Sequence, residues 1–487
     1  MSQPTQPFLE APMRIGGRSV VTDDWVPVVN PADIRETVGR VPKGDASHVA
    51  AATSAAAAAF PVWSAVPPAE RAAVLRGAGE ALRDGVDERS TLLCREGGAL
   101  LSEARRSVVG CTRNLDYYAR IGESFEFEVE LPSPNGRVVV ARQPMGVAAL
   151  IVPWNSPTNL AFLGLGPILM AGNTVVVKPP SDAPLALMES LRAIESRFPA
   201  GTINVVTGRG ETVGLGLASD PLVRKVNFTG SSDAGKAVLA AAAPTVKRVS
   251  LELGGNDPAI VLEDVDLDFV VPELIQGVFY VAGQICYDPK RIYVHRSRFA
   301  AFVERFTAAA AEKIVGNGLD ARSTMGPVVN ARQHRWVSGL IEDARSRGAT
   351  VTTVGTKLDP DAWEHGHYLL PTVVTGADHS FDVVSCEQFG PVIPILPFDD
   401  EDEAIALAND SSFGLTSSIW TNDVPRAERL ARRIEAGSTF INIHRGGATG
   451  VDMPHGGFKE SGLGRSHGVV ALEDQFELHT ISSRRPG

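Results

Sequence analysis

Three residues of this sequence have side chains suited to one covalent reaction: Cys286 in Gly283-Gln284-Ile285-Cys286, Glu252 in Leu251-Glu252-Leu253-Gly254-Gly255-Asn256, and Asn155 in Pro153-Trp154-Asn155-Ser156-Pro157. A cysteine thiolate attacks an aldehyde carbonyl. The tetrahedral adduct then carries an oxyanion that needs hydrogen-bond donors, while a hydride leaves for an acceptor. The resulting thioester is released by water that a carboxylate has activated. Cys, Glu and Asn therefore supply a nucleophile, a base and an oxyanion donor. Singly, each has a plainer reading: a buried apolar thiol for Cys286, a turn residue for Glu252, and an Asx turn ahead of Pro157 for Asn155.

The elements that must position these groups follow from periodicity. From Gly146 onward, apolar β-branched runs at 147–152, 174–177, 203–206, 225–228 and 246–251 alternate with helical stretches at 185–196, 212–218 and 234–242. Continuous apolar strands separated by helices predict a parallel sheet covered on both faces, a nucleotide-binding α/β unit in outline. Its Gly-x-Gly-x-x-Gly fingerprint is missing: Gly208-Arg209-Gly210-Glu211-Thr212-Val213-Gly214 is one residue too long. A better phosphate loop is Phe228-Thr229-Gly230-Ser231-Ser232, a strand end running into a helix start, although a Ser-capped helix without ligand fits equally. A second α/β unit follows Asp264, with helices at 269–281, 300–315, 401–409 and 424–435 and strands at 350–354, 368–374 and 392–397; Cys286 sits where the first of these helices ends. Ahead of both units come a Pro-rich, turn-rich lead-in of some forty residues and helices at 46–60, 71–83 and 89–103. Strict alternation over 125–131, a Pro132–Gly136 turn and a strand at 137–140 predict a hairpin. Such a ribbon is marginal alone and needs a partner surface. The run 472–483 reads as a terminal strand or tail.

Four stretches together resemble the aldehyde dehydrogenase superfamily: Gly283-Gln284-Ile285-Cys286, Leu251-Glu252-Leu253-Gly254-Gly255-Asn256, Glu387-Gln388-Phe389-Gly390-Pro391 and Gly456-Gly457-Phe458-Lys459-Glu460-Ser461-Gly462, within a likeness running from about Val29 to the C-terminus. The resemblance implies an α/β fold in three parts. These are a Rossmann-like parallel-sheet cofactor domain (1–121 with 144–251), a second α/β catalytic domain (mainly 252–466) and a small β oligomerisation arm and tail (122–143 with 467–487). It implies oxidation of an aldehyde to its acid with NAD or NADP through a cysteine thiohemiacetal and thioester. Superfamily members that pass the acyl group to coenzyme A generally lack a Glu at the place of Glu252, so hydrolysis is favoured. No His adjoins Cys286, and a free thiol titrates near about 8.5, so activation falls to Glu252 or water, backbone amides and the cationic nicotinamide.

Residue by residue, the resemblance places Asn155 and the Cys286 N–H on the oxyanion, Thr229-Gly230-Ser231 on the pyrophosphate, Glu387 and Phe389 on the nicotinamide ribose and ring, and Lys178 on the adenosine ribose. Trp154, Leu253, Gly254 and, with little weight, Gly208 complete the expected cofactor contacts. NAD-preferring members commonly carry Glu three residues after this Lys, where this chain has Ser181. A hydroxyl beside a Lys receives a phosphate, so NADP is expected to be accepted or preferred, with Asp182 acting against it. The expected substrate pocket comprises Ser156, Asn159, Leu160, Leu163, Ile285 and Tyr287, with residues 449–455, His455 among them, near its mouth. Ser156 is smaller than the aromatic many relatives place there, and His455 stands where many have Phe, so a bulky aldehyde is expected to fit. His444 and Arg445 are candidates to receive a substrate carboxylate, or alternatively make structural contacts. A semialdehyde dehydrogenase and a catalytically silent scaffold are the alternatives, the latter disfavoured by intact Cys286, Glu252 and Asn155.

Composition bounds the rest. The 487 residues, 44% hydrophobic and 21% charged, suit a globular protein of two or three domains. A net charge of −11 leaves no basic excess for nucleic acid or an anionic membrane. Four unpaired-looking cysteines fit a reducing compartment, and no apolar run is long enough to span a bilayer or to serve as a leader, so a cytoplasmic protein is expected. No metal is expected, since the histidines lack ligand spacing. The hairpin arm argues for a homodimer or homotetramer.

Overall fold

The computed structural model describes residues 8–134, 136–445, 448 and 450–484, so Asn135 of the expected hairpin turn, the first seven residues of the lead-in and Thr449 at the expected pocket mouth lie outside the described residues. The first large sheet has eight strands, in the order Gly462–Leu463, Arg248–Glu252, Val223–Thr229, Val147–Ile151, Thr174–Lys178, Ile203–Val205, Met13–Ile15, Arg18–Val20. Its five central strands are parallel. The three outer ones run antiparallel to their neighbours. From Val147–Ile151 the chain winds outward one way through the next two strands, then returns to lay the last two on the other side. A crevice opens at such a reversal, beyond the carboxyl ends of the strands.

Those carboxyl ends carry the residues of interest. Trp154 and Asn155 follow Val147–Ile151, Lys178 ends Thr174–Lys178, Thr229 ends Val223–Thr229 and Glu252 ends Arg248–Glu252. The second sheet has seven strands, in the order Thr350–Thr353, Thr372–Thr375, Val392–Phe398, Pro289–His295, Asp257–Val261, Thr416–Trp420, Ser438–Ile441. All its pairings are parallel except the first. This sheet offers the opposite ends of its strands: Gly254–Gly255 precede Asp257–Val261, Cys286 precedes Pro289–His295, and Glu387–Phe389 precede Val392–Phe398. The site therefore lies where outgoing strands of one sheet meet incoming strands of the other.

Several elements depart from the sequence reading for identifiable reasons. The helix expected at 89–103 is two helices, Val86–Gly97 and Leu101–Ser124. Gly98 breaks it at φ 80°, where a Cβ would meet Pro31 and Pro327 at 2.9 Å. The lead-in is folded, with two strands completing the first sheet and Trp25–Asn30 pairing with Asp33–Pro42. Only Glu128–Leu131 of the alternating 125–131 run is paired. Phe125 and Phe127 instead cluster on Phe476, with ring centroids 5.8 Å away in each case. The tail is a helix, Gly468–Glu473, followed by the strand Phe476–Ser483, which pairs with Arg137–Pro144 and turns the hairpin into a three-stranded sheet. The stretch read as a helix at 212–218 is a wide turn, Gly210–Gly214, before a short helix, Leu215–Ser219. The helix Ala331–Ser346 was not foreseen.

Arg291, fully buried on Pro289–His295, locks the second sheet. Its guanidinium donates to Asn256 O (2.9 Å) and to Leu407 O and Ala408 O (3.0 and 2.9 Å), the last turn of helix Glu401–Asn409. A cation on helix-terminal carbonyls is favourable twice over, by hydrogen bonding and by the helix dipole. Arg291→Met leaves three buried acceptors without their donor and is expected to cost about 3 kcal/mol. Urea denaturation of the purified protein checks this, with a shifted midpoint at unchanged slope as the expected result.

Candidate active site

Cys286 is presented by an unusual turn. Beyond helix Leu267–Val278, three successive residues take positive φ: Val281 at 48°, Ala282 at 56° and Gly283 at 72°. A β-branched residue in this region is disfavoured by roughly 1–2 kcal/mol, so surrounding contacts must impose it. Those contacts come from four directions. Glu103 Oε1 accepts from Val281 N (3.1 Å) and Lys290 Nζ donates to Gly283 O (2.7 Å). The Gln284 carboxamide donates to Val281 O and accepts from Val329 N, both at 2.9 Å. Asn155 Nδ2 donates to Gln284 O at 2.9 Å, which joins the first sheet's carboxyl edge to the Cys286 loop. Ile285 is buried, whereas Cys286 and Tyr287 are half-exposed.

Carboxyl groups crowd this thiol. Burial, then the charges of Glu387 and Glu252, push the Cys286 thiol well above its ordinary range. Burial likewise raises Glu252 to about 8 and Glu387 to about 7, the latter opposed by Lys290 and the Gly255 amide. Glu252 Oε1 accepts from Ser466 N (3.2 Å), while its Oε2 is buried without a hydrogen-bond partner among the described residues. Glu387 Oε1 accepts from Gly255 N at 2.9 Å. Gly254 must be glycine for this approach, since a Cβ there would lie 2.7 Å from Glu387 Oε2. Phe389 (φ 52°) packs edge-on against Trp154 at 5.4 Å. The unforeseen helix Ala331–Ser346 holds that turn: Gln333 Nε2 donates to Phe389 O (2.8 Å) and Trp336 Nε1 to Glu387 O (3.3 Å).

Trp154, Asn155, Ser156 and Ile285 line one cavity, together with Ser107 and Tyr280. Ser156 Oγ lies 3.3 Å from Ser107 Oγ, so helix Leu101–Ser124 brings a hydroxyl to this wall that no motif signalled, while Asn159, outside the lining, accepts through Oδ1 from Asn114 Nδ2 at 3.1 Å. Leu160 is half-buried and Leu163 buried, both on helix Pro157–Met170. The structure withdraws His444 and Arg445 as groups free to receive a substrate carboxylate. His444 is fully buried, bonding Tyr287 O through Nε2 (2.9 Å) and Ser418 Oγ through Nδ1 (2.8 Å), and burial lowers it to about 3. Arg445 is paired with Glu273 at 2.7 Å.

The nucleotide residues form a separate group. Lys178 is buried, its Nζ donating to Pro179 O (3.0 Å), and desolvation lowers it to about 8. Ser181 beside it is exposed, whereas Asp182 accepts from Asn330 Nδ2 at 3.1 Å. Thr229 and Gly230 are half-buried, and Ser231 caps helix Ser232–Ala242 by accepting from Ala234 N (3.4 Å). Leu253 is buried, its N–H bonded to Ser461 O at 2.9 Å. Gly208 is explained by packing, because a Cβ would lie 2.6 Å from Val213 Cγ2 and 2.9 Å from Gly44 O.

Comparison with known proteins decides what this arrangement is. The aldehyde dehydrogenase family profile matches residues 20–481. The chain belongs to that family. Among its relatives, the glutarate-semialdehyde dehydrogenase of Pseudomonas putida is 37% identical over 93% of both chains. The NADP(+) succinate-semialdehyde dehydrogenase of Escherichia coli is 36% identical, again over 93% of both. The structure of betaine aldehyde dehydrogenase from Staphylococcus aureus in complex with NAD+ superposes with a TM-score of 0.94 at 30% identity, over 98% of this chain and 95% of that one. This aldehyde dehydrogenase is thus an oxidoreductase that oxidises aldehydes to acids with NAD or NADP. Its residues fit a dinucleotide: a buried ammonium with one protein acceptor among the described residues, a Ser-capped helix start, and Glu387 two residues before Phe389, whose ring meets Trp154 edge-on.

A raised Glu252 pKa carries a sign. The buried carboxyl favours the folded protein fully below its unfolded value near 4.5, and that contribution is lost as pH rises through about 8. Glu252→Gln removes the ionisation without changing shape, so thermal melts of the cofactor-free protein should show the variant gaining stability relative to the parent between pH 5 and pH 9 while turnover is lost.

Proposed function

We propose that Cys286 is the nucleophile, Glu252 the general base and Asn155 an oxyanion donor, and that the chain hydrolyses its acyl-enzyme to the free acid. The observation that carries this reading is the Asn155-to-Gln284 hydrogen bond, which fixes the carboxamide two residues from the thiol and leaves its second N–H for an oxyanion. The Cys286 thiol gives its proton to water, directly or through Glu252, and Sγ bonds to the aldehyde carbon as the carbonyl π pair moves to oxygen, where Asn155 Nδ2 and the Cys286 N–H donate. When bound, the oxidised nicotinamide supplies the hydride acceptor and a positive charge beside the thiol. Glu252 then takes a proton from water, the water oxygen attacks the thioester carbon, and the C–S bond breaks to return the thiolate. A base with a pKa near 8 holds its proton more readily than an exposed carboxylate, which makes it the stronger acceptor from water.

We further propose that Lys178 and Ser181 receive the adenosine ribose, Thr229, Gly230 and Ser231 the pyrophosphate, and Glu387, Phe389, Trp154, Leu253 and Gly254 the nicotinamide half. The turn of Asp182 onto Asn330 leaves Ser181 as the exposed group beside Lys178, which supports use of NADP as well as NAD. The cavity wall is mostly apolar, with Ser107, Asn155 and Ser156 as polar groups on it, which suits an aldehyde with an apolar body. A semialdehyde is the second reading, supported by the semialdehyde dehydrogenases among the relatives. The division into cofactor, catalytic and arm segments is proposed at 1–121 with 144–251, 252–466, and 122–143 with 467–487.

Homodimers or homotetramers are proposed from the arm sheet, which exposes Leu131 (45%), Leu478 (69%) and Ile481 (49%). A cytoplasmic location is proposed from the four free cysteines. Among the described residues, no single helix is long and apolar enough to cross a membrane.

Following reduced-nicotinamide absorbance over a panel of aliphatic, aromatic, carboxylate-bearing and amino aldehydes tests this reading. Cys286→Ala should lose at least ~1000-fold in turnover and Asn155→Ala about 100-fold; aldehyde-dependent reduction surviving in Cys286→Ala rejects the mechanism. In the same assay Ser181→Glu should lower the NADP-to-NAD ratio of kcat/KM by roughly 10- to 100-fold, through repulsion of the 2′-phosphate.

A further inference from the structure

His455 has a neighbour that the pocket reading does not use. Its backbone exchanges two hydrogen bonds with Ser466, His455 N to Ser466 O at 2.8 Å and Ser466 N to His455 O at 2.7 Å. The same Ser466 N–H also reaches Glu252 Oε1 (3.2 Å), so His455 is held in register with the base. Gly456 lets the carboxylate lie close, since a Cβ there would be 3.1 Å from Glu252 Oε1. The imidazole is nine-tenths buried, its Nε2 4.0 Å from Glu252 Oε2, the carboxylate oxygen without a partner. Tyr287 meets the ring edge-on at 5.9 Å and His467 stacks on it at 5.1 Å, 21° from parallel.

The tautomer follows from what surrounds each nitrogen. His455 Nδ1 is buried without a hydrogen-bond partner among the described residues. A buried N–H left unpaired is rarer than an unpaired acceptor, so Nδ1 is the bare lone pair and the proton sits on Nε2, facing Glu252. Burial lowers His455 to about 4 and, with His455 as the lesser cause, His467 to about 3, so both rings are neutral at pH 7. A neutral donor stabilises the charged carboxylate without adding a buried cation.

We infer that His455 is the positioning residue of the base, its Nε2–H donating to Glu252 Oε2 when the carboxylate closes the 4.0 Å gap, which favours the ionised form against burial and aligns it for water. The inference rests on Glu252 being the general base. The titratable and charged groups facing the pair are Cys286 and Tyr287 from the nucleophile loop and Arg465 and His467 from the loop after Gly464. Hydrolysis of a preformed acyl-enzyme removes the Cys286 thiol from this set, since its sulfur is then esterified.

The test is single-turnover hydrolysis of the acyl-enzyme between pH 5.5 and 9.5, with pre-steady-state formation of reduced nicotinamide, for the parent, His455→Phe, His455→Met, His455→Gln and Glu252→Gln. Phe fills the same space without a donor. The acid limb of hydrolysis should move up by about one pH unit, hydrolysis at pH 7 should fall about 10-fold, and a burst of reduced nicotinamide should appear. His455→Gln, which keeps an N–H at similar reach, should hold the parent limb and a rate within about 3-fold. His455→Met repeats the donor-free test should the Phe variant fail to fold. Loss of hydrolysis in Glu252→Gln with an unmoved acid limb in both donor-free variants overturns the inference and leaves Glu252 as the base. Hydrolysis at the parent rate in Glu252→Gln overturns the reading of the base itself, and the inference with it.

Discussion

The left-handed turn at Val281, Ala282 and Gly283 is the constraint on which the site depends. A chain does not place Val and Ala at positive φ in succession unless partners outweigh the steric cost. Here those partners are drawn from four places in the fold: Glu103 on a helix, Lys290 at the start of a strand, Gln284 reaching to Val329, and Asn155 at the edge of the other sheet. Because each fixes a different atom of the loop, the half-exposed Cys286 takes its orientation from both sheets at once.

Electrostatically the site is a concentration of acids. Glu252, Asp257, Glu387 and Asp288 surround one thiol, and burial raises all four carboxyls. Lys290 is the cation that opposes this for Asp257, Asp288 and Glu387, and its ammonium also sits 5.3 Å over the Phe389 ring. Such an environment resists thiolate formation until positive charge arrives, so Cys286 stays a thiol by default. A thiol that ionises only on demand is also shielded from oxidation.

Much of this was legible in the sequence, for physical reasons that differ by element. The central strands of the first sheet are buried on both faces and so read as unbroken β-branched runs, and helix Glu401–Asn409 is placed to the residue, whereas Asp257–Val261, Pro289–His295, Thr416–Trp420 and Ser438–Ile441 of the second sheet went unread. The family was legible because resemblance preserves whole motifs, and the structure gathers the Glu252, Cys286 and Glu387 turns of those motifs at one place. What escaped was tertiary. Nothing local marks Ser107, Asn114 or Gln333 as site residues, since each contributes through a helix face whose partner lies 45 residues or more away in sequence. The division at Gly98 was missed because the Gly97-Gly98 pair lies inside an otherwise helical pattern and the prolines pressing on Gly98 come from elsewhere in the chain. His444 and Arg445 looked available only because Ser418 and Glu273 were out of view.

The strand Arg248–Glu252 is completed on its outer side by Gly462–Leu463, and the arm sheet by Phe476–Ser483. Both closing pieces come from far downstream of the strands they complete. Until they are in place, the strand bearing Glu252 is an open sheet edge and its carboxylate lacks the amide of Ser466. The surroundings of Glu252 are thus set by a pairing of long sequence separation, which the entropy of loop closure makes slow to form.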